Sequence, residues 1–234
     1  MTDRSDTPRS RRERPAKPAL SREGIVAAAV AILRAEGLQK VTMRRLAQEL
    51  DTGPASLYVY VRNTAELHAA VLDELLGTVG RAPAEGDWRE RLERVLDSYT
   101  EMLFAHPSLA RSALSARPSG PHYLNLIETL LALLDEGGVP PAQAAWGVDL
   151  LLQHATASAA EHAETASEED WDALRGALRD VPERTHPRIA ALGDALLSGT
   201  PETRLAWGRR TLIAGIERTA VPECLPAAPN RPKE

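Results

Sequence analysis

Between Thr42 and Arg62 the sequence gathers side chains that bond to oxygen-rich anions: the hydroxyls of Thr42, Ser56, Tyr58 and Tyr60 and the guanidinium groups of Arg44 and Arg62. Hydroxyl and guanidinium donors grip phosphate and fix a register along a nucleic acid. Pro54, Ala55 and Ser56 are small enough to approach base edges. Serine can meet several bases and alanine can touch a thymine methyl, so the trio implies contact without implying a base sequence. Each residue has a plainer alternative. Tyr58 and Tyr60 could be half-buried aromatics packing a small domain, and Arg44 a solvated charge. Leu46, Ala47 and Leu57 read as core. The charge distribution favours the anionic partner. The chain carries a net −5, yet up to Asn63 twelve Lys and Arg stand against seven Asp and Glu, and beyond it sixteen stand against twenty-six. A basic head on an acidic body points to a polyanion for the head alone.

Other chemistries find little purchase. His154, His162, Glu161 and Glu164 lie on one stretch, but no three-ligand spacing appears, so no metal site is expected. There is no Gly-rich phosphate loop and no nucleophile elbow, so no catalytic residue and no cofactor is expected. Cys224 is the single cysteine, which rules out a disulfide within the chain. The first residues lack an apolar signal core, and the apolar run 25–33 is too short to span a bilayer. These features predict a cytoplasmic protein with no membrane partner.

The elements that must hold these residues are helical. Hydrophobic residues make up 43 % of the chain and aromatics only 4 %. Alanine and leucine abound, and both lose little freedom in a helix. No alternating run of Val, Ile and Thr predicts a sheet. Ser21 caps a first helix with Ile25, Ala28, Ala29, Ile32 and Leu33 at helical spacing, closed by Gly37 in the αL region. Thr42 caps a second. Asp51-Thr52-Gly53 breaks the pattern, and Pro54 opens a short third helix ending near Val61. Thr64 is expected to cap a fourth, over 64–79. After a Pro/Gly-bearing linker, helices are expected over 87–105, to 116, over 122–136, 142–164, 168–178, 187–197 and 201–219. The expectation is an all-α fold of about nine to ten helices. Residues 1–19 form a disordered basic arm, 20–66 a three-helix DNA-binding domain, 67–221 a larger helical effector-binding and dimerisation domain, and 222–234 a disordered tail.

A helix, a tight turn and a short helix starting at Pro54 form a helix-turn-helix, whose second helix enters the major groove of duplex DNA. The stretch Val41-Thr42-Met43-Arg44-Arg45-Leu46-Ala47, then Leu57-Tyr58-Val59-Tyr60-Val61-Arg62-Asn63, then Glu66-Leu67, resembles the TetR family signature. Two positions depart from it. Asp51 stands where the turn glycine is usual, tolerable because Asp accepts αL better than most residues. Thr64 stands where a lysine usually starts the fourth helix, which implies one phosphate contact fewer. Asp87-Trp88, Ala105-His106-Pro107, Ala116-Arg117-Pro118 and Glu136-Gly137-Gly138 resemble the effector domain of the tetracycline-repressor class more weakly. The resemblance implies a homodimer on a palindromic operator. Two long helices, 142–164 and 201–219, would form a four-helix bundle with the partner, through stripes that include Trp146, Val148, Leu151 and Leu152 on one and Leu205, Leu212, Ile213 and Ile216 on the other. The period alone does not divide these stripes between core and interface.

The resemblance also implies an effector pocket among the middle helices. Its expected walls are Tyr99, Met102 and Leu103, then Leu114, Leu126, Thr129 and Leu130, then Leu151 and His154. The apolar members could equally be plain core. In the tetracycline repressor the drug binds as a magnesium chelate held by a histidine. That histidine falls at Ala113 here, and other polar contacts fall at Gly80, Val95 and Thr129, while Tyr99 keeps the aromatic wall. The expected effector is therefore a small hydrophobic compound, bound without metal. A sequence-specific repressor released by such an effector is the reading. A constitutive or architectural DNA-binding protein is the alternative, and an enzyme a more distant one.

Overall fold

The computed structural model describes residues 19–80, 82–114, 118–162 and 168–222. The expectations for the basic arm before Ala19, for the last residues of the helices to 116 and 164, and for the tail beyond 222 fall outside these. The described residues form eleven α-helices and no strand: α1 (Arg22–Glu36), α2 (Met43–Glu49), α3 (Pro54–Leu57), α4 (Thr64–Leu76), α5 (Trp88–Phe104), α6 (Pro107–Ala113), α7 (Pro121–Glu136), α8 (Pro141–His162), α9 (Glu168–Arg179), α10 (Pro187–Leu192) and α11 (Pro201–Arg218). Each of the eleven spans expected to be helical corresponds to one of them, so the count passes the expected nine to ten.

The helix starts follow from local chemistry. Proline opens α3, α6, α7, α8, α10 and α11, where its fixed φ suits the first turn and its missing N–H is not needed. Ser21 accepts a hydrogen bond from the Gly24 amide at 3.0 Å, and Thr42 accepts one from the Arg45 amide at 3.2 Å. Asp87 and Glu90 form a reciprocal capping box at α5. The cap of α4 is Asn63, not Thr64: the Asn63 side chain accepts from the Glu66 amide at 2.8 Å. Asn-x-x-Glu was the available signal, since Asn ranks with the best N-cap residues, and Thr64 is itself the first helical residue. Gly37 ends α1 at φ 86° and ψ 165°. The positive φ expected of it is present, but the extended ψ replaces αL.

Buried side chains form one continuous cluster from Ile25 to Ile216. On one side α1 packs on α2 and α4. On the other, α5, α7 and α8 pack on one another, and α6 and α11 also pack on α8. Helix α4 touches both parts: it packs on α1 and also on α6 and α7. A buried carboxylate reinforces the second contact. Asp73 of α4 accepts a hydrogen bond from the Tyr123 amide at 2.9 Å, capping α7, whose own N-cap Gly120 has no side chain to offer. A Cβ at Gly120 would come within 2.1 Å of the Asp73 carboxylate, so the close approach requires glycine. Helices α9 and α10 pack on one another and on the 3-10 turn that follows them.

Candidate DNA interface and effector region

The turn between α2 and α3 depends on Asp51, the one described non-glycine residue with positive φ, at 46°. Its side chain substitutes for the usual glycine at an acceptable cost, as expected of Asp. Pro54 then starts α3, which is shorter than the sequence suggested: α-helix stops at Leu57 and residues 58–60 continue as turns. The Val61 amide still reaches the Leu57 carbonyl at 3.0 Å. Leu57 and Val61 are fully buried and pin this segment to the core.

Thr42, Arg44, Pro54, Ala55 and Ser56 are all exposed, and Tyr58 is 52 % exposed. Tyr60 is half-buried against the core. The two adjacent arginines of α2 differ in state. Arg45 pairs with Glu36 at 2.6 Å and with Glu49 at 2.8 Å. These hydrogen bonds push its pKa up and hold the Glu36 carboxyl below the usual range. The Arg44 side chain has no partner among the described residues. Arg62 is tied to Glu66, which accepts from its Nε at 3.0 Å and from its backbone amide at 2.9 Å. Those two bonds lower the Glu66 pKa, with a smaller share from Arg22. Sequence reasoning overlooked this anchoring role of Glu66.

In the larger part, Tyr99, Met102, Leu103, Leu126, Leu130 and Leu151 are buried. The Tyr99 hydroxyl shares a 2.8 Å hydrogen bond with Thr156, and burial pushes its pKa up to about 12. Thr156 was missed, lying in an Ala-rich run that offers no pattern. Thr129 is half-buried and donates to the Asn125 carbonyl. Leu114, expected to face a pocket, is 55 % exposed at the end of α6. His154 is half-buried against Gly208 of α11, and its pKa is lowered by burial and then by Arg209.

A cleft of about 570 Å³ opens between α5 and α11, and none of the nine expected effector residues lines it. A second, shallower groove of about 590 Å³ runs along the outer face of α8 and α11, past Trp146, Leu150 and Gly215. This face resolves the two apolar stripes. Val148, Leu151, Leu152, Ile213 and Ile216 are spent in the core, Leu205 and Leu212 are half-buried, and Trp146, Leu150 and Trp207 point outward.

The family model described as bacterial regulatory proteins, tetR family, matches residues 25–71. A second, described as tetracyclin repressor-like, C-terminal domain, matches residues 81–220. The chain belongs to the TetR family. Its members are transcriptional regulators, not enzymes, and this TetR-family protein is a DNA-binding regulator whose helix-turn-helix is formed by α2 and α3. It is 30 % identical over 215 residues to an HTH-type transcriptional regulator of Saccharopolyspora erythraea, a match covering 87 % of each chain. It is 39 % identical over 129 residues to the HTH-type transcriptional repressor DrrR1 of Streptomyces coeruleorubidus, a match spanning 53 % of this chain and 46 % of that one. Among solved structures, SCO7704 of a Streptomyces species aligns with a TM-score of 0.77 at 62 % identity, over 89 % of this chain and 100 % of that one. ActR of Streptomyces coelicolor, in complex with actinorhodin, aligns with a TM-score of 0.75 at 37 % identity, over 85 % and 96 %. Among the described residues no helix is long and apolar enough to cross a membrane.

Proposed function

We propose that this TetR-family regulator is a homodimeric repressor that holds a palindromic operator and leaves it when a small, largely apolar effector binds the C-terminal domain. The observation that carries this reading is the placement of α4. It packs on α1 of the head and on α6 and α7 of the body, and Asp73 ties it to the start of α7. A body conformation stabilised by ligand must move α4, and with it the head. An effector shifts that equilibrium only by its differential affinity for the two states.

On the DNA side, Pro54, Ala55 and Ser56 meet base edges in the major groove, while Thr42, Arg44, Tyr58, Tyr60 and Arg62 hold phosphates. One short recognition helix reads few base pairs, so two related by a dyad are needed for an operator. The outward face of α8 and α11 supplies the dimer contact. Trp146, Leu150 and Trp207 are 55 %, 42 % and 71 % exposed there, more apolar surface than an isolated helix pair leaves bare without reason. Trp171, Leu174 and Leu192 on α9 and α10 stay exposed as well and suit an arm laid on the second copy. The effector reading draws support from ActR, whose structures hold actinorhodin and (S)-DNPA. Tyr99, Met102, Leu103, Leu126, Thr129, Leu130, Leu151 and His154, with Leu114 at the edge, are its proposed walls. Ala113 offers no metal ligand where the tetracycline repressor has its histidine.

Selection from random DNA should recover a palindrome bound far more tightly than scrambled duplex at physiological salt, with affinity falling steeply as salt rises. Actinorhodin is the first compound to try for release, by fluorescence anisotropy, followed by a panel of apolar small molecules. Equal affinity for the selected and scrambled DNA would refute the operator, and no release by any of the panel would favour a constitutive binder.

A further inference from the structure

The recognition segment lacks the side chains that usually read a base sequence. From Thr52 to Val61 there is no Arg, Lys, Asn, Gln, Asp or Glu. Those are the residues that pair with guanine, adenine or cytosine through their hydrogen-bonding edges. The two residues that follow are engaged elsewhere: Arg62 is bound to Glu66, and the Asn63 side chain caps α4. Ser56 brings a hydroxyl, which suits several bases and selects none.

What the segment presents instead is apolar. Leu57 and Val61 are fully buried, and the Val61 amide donates to the Leu57 carbonyl at 3.0 Å, so the backbone makes one more helical turn over 57–61. Val59 is two residues from each. At about 100° per residue it stands on the side opposite both. It is 80 % exposed, more than any other large apolar side chain among the described residues. Ala55 lies four residues before it and Ser56 three, which places them on the same side, and both are exposed. A lone exposed valine is ordinary on a protein surface. This one stands in the middle of the outward face of the helix-turn-helix. Its two methyls branch from a stiff Cβ and lose little freedom on contact.

We propose that Val59 reads thymine, packing with Ala55 against the 5-methyl group that marks this base in the major groove. Sequence is then recognised through methyl contacts, while Arg44 and the tyrosine hydroxyls hold the phosphates on either side. The inference rests on the operator proposed above and assigns the base that its half-sites carry opposite Val59. Cytosine has no methyl at that place, and a purine presents a polar edge, so each leaves the valine without a partner. 5-Methylcytosine carries a methyl at the same ring position and satisfies it.

Fluorescence anisotropy on the full chain tests this with the duplex recovered by selection from random DNA. Each thymine is replaced in turn by uracil, which removes one methyl and keeps the base pairing. At one step or more, uracil should weaken binding by roughly fourfold per half-site. At that step 5-methylcytosine opposite guanine should bind more tightly than cytosine opposite guanine, by a similar factor. Val59→Ala, at an exposed position that contributes nothing to the core, should weaken binding of the thymine duplex. It should leave binding of the uracil duplex nearly unchanged, because both changes delete one contact. Indifference to uracil at every step, no gain from 5-methylcytosine, or additive losses for uracil and Val59→Ala would overturn the proposal and leave the operator standing. Selection that enriches no sequence would overturn the operator and the thymine reading together. A selected site without a dyad would remove the palindrome alone, and the uracil scan would still decide for or against Val59.

Discussion

At the scale of single residues, Arg44 and Arg45 show that identity alone does not decide a role. Both sit on α2, but Arg45 is engaged by Glu36 and Glu49, whereas Arg44 has no partner among the described residues. Arg44→Ala should leave the melting temperature unchanged while weakening operator binding and reducing the salt slope by about one. Arg45→Ala should do the reverse, lowering the melting temperature with little change in slope; thermal melts and salt-dependent anisotropy on both variants separate the two roles. Two histidines set a pH response. Burial lowers the pKa of His106, with Arg34 adding to it, and burial then Arg209 lower that of His154. Below the ordinary value of 6.5 the unfolded chain takes these protons before the folded one does. Stability is therefore full above that pH and falls as pH drops toward the folded values. Urea midpoints at pH 7.5 and 5.5 should show the decline, and His154→Gln should remove part of it. At pH 5.5 the lowered carboxyls of Glu36 and Glu66 still contribute in full, because their share is lost only below about 4.5, the value of the unfolded chain.

At the scale of elements, the joint between α4 and α7 is the least forgiving contact described. The Asp73 carboxylate caps α7 at a distance only glycine at 120 permits. Gly120→Ala should cost about 1–3 kcal/mol, the price of displacing a buried acceptor from its donor. Asp73→Ala should cost a similar amount. The double variant should cost little more than Asp73→Ala alone, because the new methyl then meets no carboxylate. Additive losses in chemical denaturation would show that the two residues do not act on one another. Most element boundaries were legible in the sequence, since caps and prolines act within a few residues of themselves. Asn63 was misassigned to Thr64 because two good cap residues stand side by side, and only backbone dihedrals choose between them. The early end of α3 was hidden for a different reason. Residues 58–60 carry no breaker, and the burial of Leu57 and Val61 decides how that segment turns.

At the scale of the whole molecule, assembly is the property most exposed to test. Leu150 is 42 % exposed on the outer face of α8 and contributes little to the chain's own core. Leu150→Arg should therefore leave the fold intact while yielding monomer by sedimentation, with operator affinity lower by roughly a hundredfold or more once the two heads are uncoupled. A dimer of unchanged affinity would place the interface elsewhere. The helical class, the helix-turn-helix and the basic head opposed to an acidic body were already readable in the residues, because periodicity, capping and charge are local or additive along a chain. Three features were not. The division of the α8 and α11 stripes into core and outer face depends on which side of each helix another element covers, and a 3.6-residue period is the same for both. The split of α5 into a core stripe and a cleft stripe depends on where α11 parts from it, which no residue near Asp97 encodes. The pairing of Asp97 with Arg209, like that of Asp73 with Tyr123, joins positions far apart in sequence. Such contacts arise only when packing brings two helices together, and that was for the tertiary structure to decide.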